Sequence, residues 1–539
     1  MRVLYCVGDE KKQQTDNIIG WCCVRGNMDN NGKYIELRSR YLRFVYKAYH
    51  WSVEDAGLRV WFDFEMGDVE FHPTALVERK CLDALEQANT QTINDIVFNI
   101  GMVELVSYWK CACPPEVEVQ CGTLTDEQRD FWLKLYWNGL GEFYYTNGIN
   151  ESREEFMRVR RVESGEWRVE SGERRVESGE WRVESGERRV ESGERRTESG
   201  EWRVESGEWR VESGEAYLVP IGGGKDSVVT LELLRRAGKR IRPLIMNPRG
   251  ATIECARVAG FTMDEVLVIR RTIDPKLLEL NAQGYLNGHT PFSAMLAFYT
   301  MLASYLSGIP NVALSNENSA NESTVLGTTV NHQYSKSLEF EDDFREYVRV
   351  RSAEMSGCAG EGACVPGFNY FSFLRPLSEL QIAMLFSRFT QYHDVFRSCN
   401  VGSKQDIWCG HCAKCLFAYI ILSPFIEPER LNAIFGKAML DDLTLEHEFR
   451  QLVGMEETKP FECVGTVSEV RQALAMAVAR WYQKERPALV DLVGLVGLVD
   501  LVGLDDLVEL VGLDRLAPIG NLTQEERQII EQACTAKNN

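Results

Sequence analysis

The pattern of apolar and polar positions changes along the chain and predicts two folded parts. Before residue 150, apolar and polar residues alternate over 58–66 and 69–77, which predicts two β-strands. Apolar residues at helical spacing follow over 92–109 and 125–140. Strands followed by helices are typical of an α+β fold, so residues 1–150 are predicted to form a small α+β domain.

After residue 216, short apolar runs alternate with helical patterns. Strands are predicted at 216–221, 241–246, 265–269 and 312–315, and helices at 228–237, 252–259 and 292–306. Strands that alternate with helices pair in parallel, so residues 217–470 are predicted to form an α/β domain with a doubly wound parallel sheet. Ligands of such sheets bind at the carboxyl ends of the strands.

Two repeats interrupt this pattern. From residue 161 to 216 the unit Arg-Val-Glu-Ser-Gly-Glu-(Trp or Arg) recurs with little change. A glycine in every unit disfavours a long helix, so residues 151–216 are predicted to be a low-complexity linker, with a stacked solenoid as the alternative. A Leu-Val-x repeat over 489–516 lies within 471–539, which we interpret as a C-terminal helical or low-complexity tail.

Composition excludes several classes of protein. The 539 residues are 44% hydrophobic and 26% charged, as in chains that bury real cores. A net charge of −20 gives no general electrostatic attraction for nucleic acid, and 16 cysteines are too few for a disulfide scaffold. Neither a signal peptide nor a membrane span is indicated. We therefore expect a cytoplasmic protein that neither inserts into a membrane nor binds nucleic acid; the oligomeric state is left open.

The string Gly222-Gly-Gly-Lys-Asp-Ser227 follows the first predicted strand of the second part and leads into a helix. Glycines let backbone N–H groups approach an anion, while the helix N-terminus and Lys225 add positive charge. Ser227 can donate to phosphate oxygens, and Asp226 can hold Mg²⁺ or position the loop. The spacing is not that of a Walker A motif, and a glycine-rich turn without a ligand is the alternative. The predicted phosphate-binding residues are Gly222, Gly223, Gly224, Lys225, Asp226 and Ser227.

Four cysteines indicate a metal site. They are Cys399, Cys409, Cys412 and Cys415, and the last three form two overlapping Cys-x-x-Cys units. Four soft thiolates suit Zn²⁺ in a closed, structural site, with an iron–sulfur cluster and a nucleic-acid-reading knuckle as alternatives. Cys111, Cys113 and Cys121 are spaced irregularly, so we interpret them as ordinary thiols.

The glycine-rich string resembles the pyrophosphate loop, Ser-Gly-Gly-X-Asp-Ser, of the PP-loop ATP pyrophosphatases, which have an adenine nucleotide alpha hydrolase-like fold. Gly222 stands where the family usually has serine. In these enzymes ATP is split between its α- and β-phosphates. The resemblance implies that Mg²⁺-ATP is the cofactor and that adenine lies near Met246 and Asn247. Similar cysteine clusters hold zinc in the PP-loop enzymes that make deazaguanine bases.

Five further polar strings narrow the resemblance. They lie at 281–291, 314–322, 330–337, 374–380 and 459–465. Together with the glycine loop and the cysteine cluster, in this order, they resemble the UDP-N-acetylmuramoyl-L-alanyl-L-glutamate epimerase family of bacterial peptidoglycan synthesis. The resemblance covers residues 216–467 well and the first 150 more loosely. It implies that the terminal L-Glu of the UDP-linked muramoyl dipeptide is epimerised to D-Glu through an acyl-adenylate, with release of AMP and pyrophosphate.

In the implied reaction, adenylation neutralises the carboxylate so that the α-proton can leave. An acid–base pair is then needed to remove that proton and to return one on the opposite face. The candidates for this pair are His289, Glu317, His332, Lys336 and Cys463, each with a binding or core role as the alternative. Lys225 and Asp226 are the predicted catalytic residues of the phosphate loop. Two other functions remain open. One is another PP-loop ATP pyrophosphatase, such as a ligase, amidotransferase or sulfur transferase acting on a base or tRNA; the other is a non-catalytic, zinc-stabilised interaction protein.

Overall fold

The structure, a computed structural model, describes most of the chain outside the repeats. The described residues are 30–85, 88–160, 216–325, 328, 330–356, 367–492, 516–517 and 520–535. The heptapeptide repeat and residues 493–515 of the Leu-Val-x repeat lie outside them, so their predicted character stays a prediction.

Strands and helices alternate through the described residues. The strands are β1 (Arg43–Glu54), β2 (Gly57–Met66), β3 (Val69–Phe71), β4 (Thr74–Glu78), β5 (Glu116–Val119), β6 (Arg158–Arg160), β7 (Ala216–Pro220), β8 (Arg240–Met246), β9 (Leu267–Thr272), β10 (Asn311–Leu314) and β11 (Asn369–Ser372). The α-helices are α1 (Asn30–Arg40), α2 (Thr90–Trp109), α3 (Asp126–Gly139), α4 (Gly141–Thr146), α5 (Lys225–Arg236), α6 (Gly250–Val258), α7 (Pro275–Ala282), α8 (Phe292–Ser307), α9 (Leu338–Ser356), α10 (Glu379–Ser387), α11 (Ala413–Leu422), α12 (Pro428–Phe435), α13 (Glu446–Leu452), α14 (Val467–Trp481), α15 (Ala488–Leu492) and α16 (Gln524–Thr535).

In the described part of the chain, the strands form one sheet of 11 strands in the order β11-β10-β7-β8-β9-β4-β2-β1-β5-β6, with β3 paired to β2. Pairing is parallel from β11 to β9 and again from β1 to β6. The antiparallel pair β4–β9, in which Thr74 faces Thr272, joins the strands on either side of the repeat into this single sheet. The predicted α/β class and parallel pairing are confirmed.

Helices cover both faces of the parallel part of the sheet. Side chains of a strand point alternately to the two faces, so Leu218 in β7 enters one hydrophobic core and Val219 enters the other. Helices α5 and α6 pack in the core of Val219, whereas α8 and the buried helix α2 pack in that of Leu218. Burial on both faces explains why these strands read as continuous apolar runs.

The strands differ from the prediction in two ways: one predicted strand is split, and β5, β6 and β11, like β1, were not predicted. The expected strand at 69–77 is split into β3 and β4 at His72 and Pro73, because proline has no N–H to donate to a neighbouring strand. Strand β1 was not predicted. Its residues Phe44, Val45 and Tyr46 are all buried, so the sequence shows no alternation there.

The carboxyl ends of β7, β10 and β11 meet at one edge of the sheet. The chain runs from β7 to β8 on one side, while β10 lies on the other side of β7, so a topological switch point falls between β7 and β10. Such a point is where open α/β sheets bind ligands. No helix in the described ranges has the length and apolar character to span a membrane.

Candidate active site

The loop between β7 and α5 has the geometry of an anion cradle. Gly223 has φ +82°, and a Cβ there would lie 3.0 Å from the Cβ of Ala251, so the position requires glycine. A Cβ on Gly222 would meet no atom within 4 Å. Gly224 is the N-cap of α5, whose first N–H groups therefore face this loop. The backbone and helix end supply donors that phosphate can accept.

Lys225 and Asp226 form an ion pair with a third residue that the sequence analysis did not single out. The Nζ atom of Lys225 is buried, lies 2.5 Å from Oδ1 of Asp226 and also donates to Glu379. Burial raises the pKa of Glu379 to about 8, although the charge of Lys225 opposes that rise. Ser227 donates from Oγ to the carbonyl of Gly224 at 3.0 Å and so closes the turn. Glu379 falls within the polar string 374–380, which was its only signal in the sequence.

Glu317 and Lys336 are brought to this edge by a buried arginine. Arg375, which follows β11, donates to the carbonyl of Glu317 at 2.8 Å and to that of Lys336 at 2.7 Å. Burial raises the pKa of Glu317, whose nearest charges include Lys336 and Asp226. Arg375 therefore fixes the two loops that face the phosphate-binding turn.

Cys463 lies among cations beside these loops. The ammonium groups of Lys336 and Lys414 and a hydrogen bond with His332 hold the pKa of Cys463 well below its usual value, although burial alone would raise it. Lys414 also donates from Nζ to the carbonyl of Cys463 at 2.5 Å. Gln333 donates to the carbonyl of Val464 at 3.1 Å, which fixes the same segment. The result is a half-buried thiol on a well-anchored loop, in surroundings that favour its thiolate form.

His332 and His289 share one carboxylate from the first part of the chain. Nδ1 of His332 is hydrogen-bonded to Oε2 of the buried Glu142, and Nδ1 of His289 lies 3.4 Å from the same oxygen. Burial alone would lower the pKa of His332, but hydrogen bonds with Cys463 and Glu142 raise it to about 10. Burial and the charge of His332 lower the pKa of His289. Burial also lowers the pKa of the neighbouring Lys110 to about 8.

The four-cysteine cluster is assembled as the sequence predicts. The Sγ atoms of Cys399 and Cys412 lie 3.8 Å apart, those of Cys409 and Cys415 lie 3.6 Å apart, and those of Cys412 and Cys415 lie 3.5 Å apart. Metal–sulfur bonds of about 2.3 Å in a tetrahedron put sulfurs about 3.8 Å apart. The four side chains therefore fit a zinc ion. Cys111 and Cys113, predicted to be ordinary thiols, are buried, and burial raises their pKa values.

The cluster segment is connected by one hydrogen bond to the phosphate loop and by another to the neighbouring helix α6. The N–H of Arg397, two residues before Cys399, donates to the carbonyl of Gly223 at 2.8 Å. Asp406, within the cluster's long loop, accepts at 2.7 Å from the N–H of Ala251 at the start of α6. Neither contact had a signal in the sequence.

Met246 and Asn247 end β8 beside the phosphate loop. Asn247 has φ +52° and accepts from the backbone N–H of Arg271 at 2.8 Å, so its side chain is used to hold β8 against β9. The structure thus brings every predicted site residue to the same edge of the sheet or next to it. Glu142 was missed, because an isolated glutamate in a short helix carries no sequence signal.

Comparisons with known proteins support the family resemblance that the polar strings indicate. Residues 36–177 and 179–357 match the family model described as MurL N-terminal domain, and residues 395–496 match the MurL C-terminal domain. The chain is 32% identical over 411 residues to a UDP-N-acetyl-alpha-D-muramoyl-L-alanyl-L-glutamate epimerase of Xanthomonas oryzae pv. oryzae, across 75% of this chain and 78% of that protein. Proteins of the same name from a Micromonospora species and from Salinispora tropica are each 39% identical over 285 residues, which span 60% and 59% of their respective lengths.

Proposed function

The chain belongs to the MurL family of UDP-N-acetyl-alpha-D-muramoyl-L-alanyl-L-glutamate epimerases, and we propose that it inverts the terminal L-Glu of the UDP-linked muramoyl dipeptide to D-Glu with consumption of ATP. The reaction serves peptidoglycan precursor synthesis. The observation that carries the proposal is a group of interacting charged side chains, among them Glu317 and Lys336, that connects the phosphate loop with Cys463 and His332.

The anion cradle would hold the phosphates of ATP. Backbone N–H groups at the start of α5 bind the phosphates, and Lys225 offsets the charge that develops on the departing pyrophosphate. Asp226 is the carboxylate placed to hold Mg²⁺, which would neutralise phosphate charge during adenylation. The pairing of Lys225 with Glu379 keeps this ammonium buried and fixed beside the loop.

Adenylation explains why an epimerase needs ATP. The α-proton of a free carboxylate is barely acidic, because its removal creates a second negative charge beside the first. The acyl-adenylate has no carboxylate charge, and its carbonyl oxygen accepts the electron pair left by the proton. Reprotonation on the opposite face gives the D-centre, and hydrolysis releases AMP.

The cysteine cluster would hold one structural zinc ion. Four thiolates complete a tetrahedron and leave no open position for water, so the metal takes no part in the chemistry. Its role is to fix the segment that contains Arg397 and Asp406 against the phosphate loop.

Mass spectrometry of products tests this function. Enzyme incubated with ATP and the UDP-linked muramoyl dipeptide in deuterated water is expected to give AMP, pyrophosphate and a D-glutamyl product with deuterium at the α-carbon. Asp226→Asn is expected to abolish both AMP formation and deuterium uptake. Formation of ADP, or inversion at full rate without ATP, would contradict the proposal and favour another PP-loop reaction.

A further inference from the structure

The base that removes the α-proton must satisfy two conditions that Cys463 meets. It must lie near the adenylate, whose α-carbon is two bonds from the oxygen that joins the acyl group to phosphate. Lys336 is hydrogen-bonded to Cys463 and interacts electrostatically with Asp226, so one side chain connects the thiol with the phosphate loop. It must also be unprotonated before substrate arrives.

Lys336, His332 and Glu317 fail the second condition. Cys463 and Glu317 favour the charged form of Lys336, and Glu142 and Cys463 do the same for His332, so both enter the reaction with their protons. Glu317 is buried in surroundings that favour its neutral form. Burial and the charge of His332 also favour an unprotonated His289, so Cys463 and His289 both meet this condition. Of the two, Cys463 is the one that is hydrogen-bonded to Lys336, which interacts with the phosphate loop.

The neighbours of Cys463 form an oriented relay. Nδ1 of His332 is engaged by Glu142, which leaves Nε2 as the nitrogen available to the thiol. A thiol that contacts an imidazole, which in turn contacts a carboxylate, is an arrangement by which enzymes activate a reactive side chain. The carboxylate fixes the orientation of the imidazole ring. Glu142 comes from α4 and His332 from a loop after β10, so the relay joins the two parts of the chain.

We propose that Cys463 exchanges a proton with the glutamyl α-carbon on one face of the acyl-adenylate, and that Glu142 and His332 are its positioning residues. The inference rests on the proposed function. In the step, the thiolate forms an S–H bond as the C–H bond breaks, and the electron pair moves to the carbonyl as an enolate. A second group donates a proton to the other face. Cys463 then loses its proton to water and the second group regains one, so the cycle balances.

The test separates proton transfer from adenylation. Cys463→Ser and Cys463→Ala are compared with wild type and with Cys534→Ser, a thiol substitution on α16 that is remote in sequence from this segment. Starting from either epimer with ATP in deuterated water, we expect both Cys463 variants to invert the centre at least about 100-fold more slowly. AMP and pyrophosphate are expected to form still. Deuterium is expected to enter without inversion for one epimer only, the one whose α-hydrogen faces the remaining base.

A positioning role for Glu142 gives a different signature. Glu142→Gln keeps the size of the side chain but removes the charge that stabilises the His332 imidazolium. We expect kcat for inversion to fall about tenfold or more and its pH profile to shift, while the KM for ATP stays within about threefold. An unshifted profile with unchanged kcat would remove Glu142 from the relay.

Three results overturn the proposal. They are inversion by Cys463→Ser within threefold of wild type, loss of AMP formation in a variant with a wild-type circular dichroism spectrum, and a covalent substrate adduct on the thiol. Failure of the proposed function is recognised separately, because wild-type enzyme would then form no AMP.

Discussion

At the scale of single residues, neighbouring glycines in the phosphate loop have opposite requirements. Gly223 is forced to be glycine by its backbone angle and by Ala251, whereas Gly222 is open. We therefore expect Gly222→Ser to fold normally and to add the hydroxyl that the PP-loop pattern usually has. One hydrogen bond of about 1 kcal/mol corresponds to an ATP affinity about fivefold tighter. Calorimetric titration with Mg²⁺-ATP measures this affinity. The matched control, Gly223→Ser, is expected to lower Tm and to weaken ATP binding. Equal behaviour of the two variants would contradict the assignment of this loop to phosphate binding.

The raised pKa of His332 predicts how stability depends on pH. The folded protein binds this proton with a pKa of about 10, against an ordinary value of 6.5. A group whose pKa is raised on folding contributes stability that is complete below its ordinary value and is lost as pH rises through the folded value. The stability advantage of wild type over His332→Gln should therefore be largest near pH 6 and shrink towards pH 10.

Urea unfolding at a series of pH values measures that advantage. His447→Gln is the control, because this histidine is exposed on α13. An advantage of wild type over His332→Gln that stays constant from pH 6 to pH 10 would show that the imidazole does not gain its proton on folding.

At the scale of elements, the cysteine cluster supports the phosphate loop. Cys412→Ser is expected to remove zinc and to lower the free energy of unfolding by about 4 kcal/mol or more, because metal binding is coupled to folding. Loss of the contacts from Arg397 and Asp406 should also weaken Mg²⁺-ATP binding. Metal analysis, urea unfolding and titration measure the three effects, with Cys534→Ser as control. Purified, unchelated wild type without zinc would refute the assignment.

The elements that the sequence predicts correctly are those with a local cause. β7 is an apolar run that is buried throughout, β8 contains a shorter buried apolar run, and the cysteines of the cluster lie close in sequence. The missed contacts are non-local. Glu142 and His332 are 190 residues apart, and the β4–β9 pair that joins the sheet depends on burial that only the assembled fold provides. A short stretch of sequence does not contain both residues of such a pair, so no local pattern predicts the contact.

At the scale of the whole molecule, strand directions place the two ends of the connection between β6 and β7 relative to the phosphate loop. β9 runs parallel to β7; the antiparallel pairs β9–β4, β4–β2 and β2–β1 reverse the direction three times, and β5 and β6 follow β1. The end of β6 and the start of β7 therefore lie at the same edge of the sheet. The phosphate loop follows the end of β7, so it lies at the opposite edge.

Shortening the repeat should accordingly spare activity until the connection becomes too short. Seven strand spacings of about 4.8 Å separate β6 from β7, a distance of about 34 Å. Two copies of the unit, 14 residues, reach about 49 Å when extended, whereas one copy of seven residues reaches about 25 Å. We expect a two-copy variant to keep kcat within about threefold and lose little stability, because closure entropy depends weakly on loop length. A one-copy variant must pull β6 or β7 out of the sheet and should unfold at lower urea. Product assays measure kcat and urea unfolding measures stability for both variants. A two-copy variant that folds but has lost more than about tenfold in kcat would show that the repeat contributes to activity.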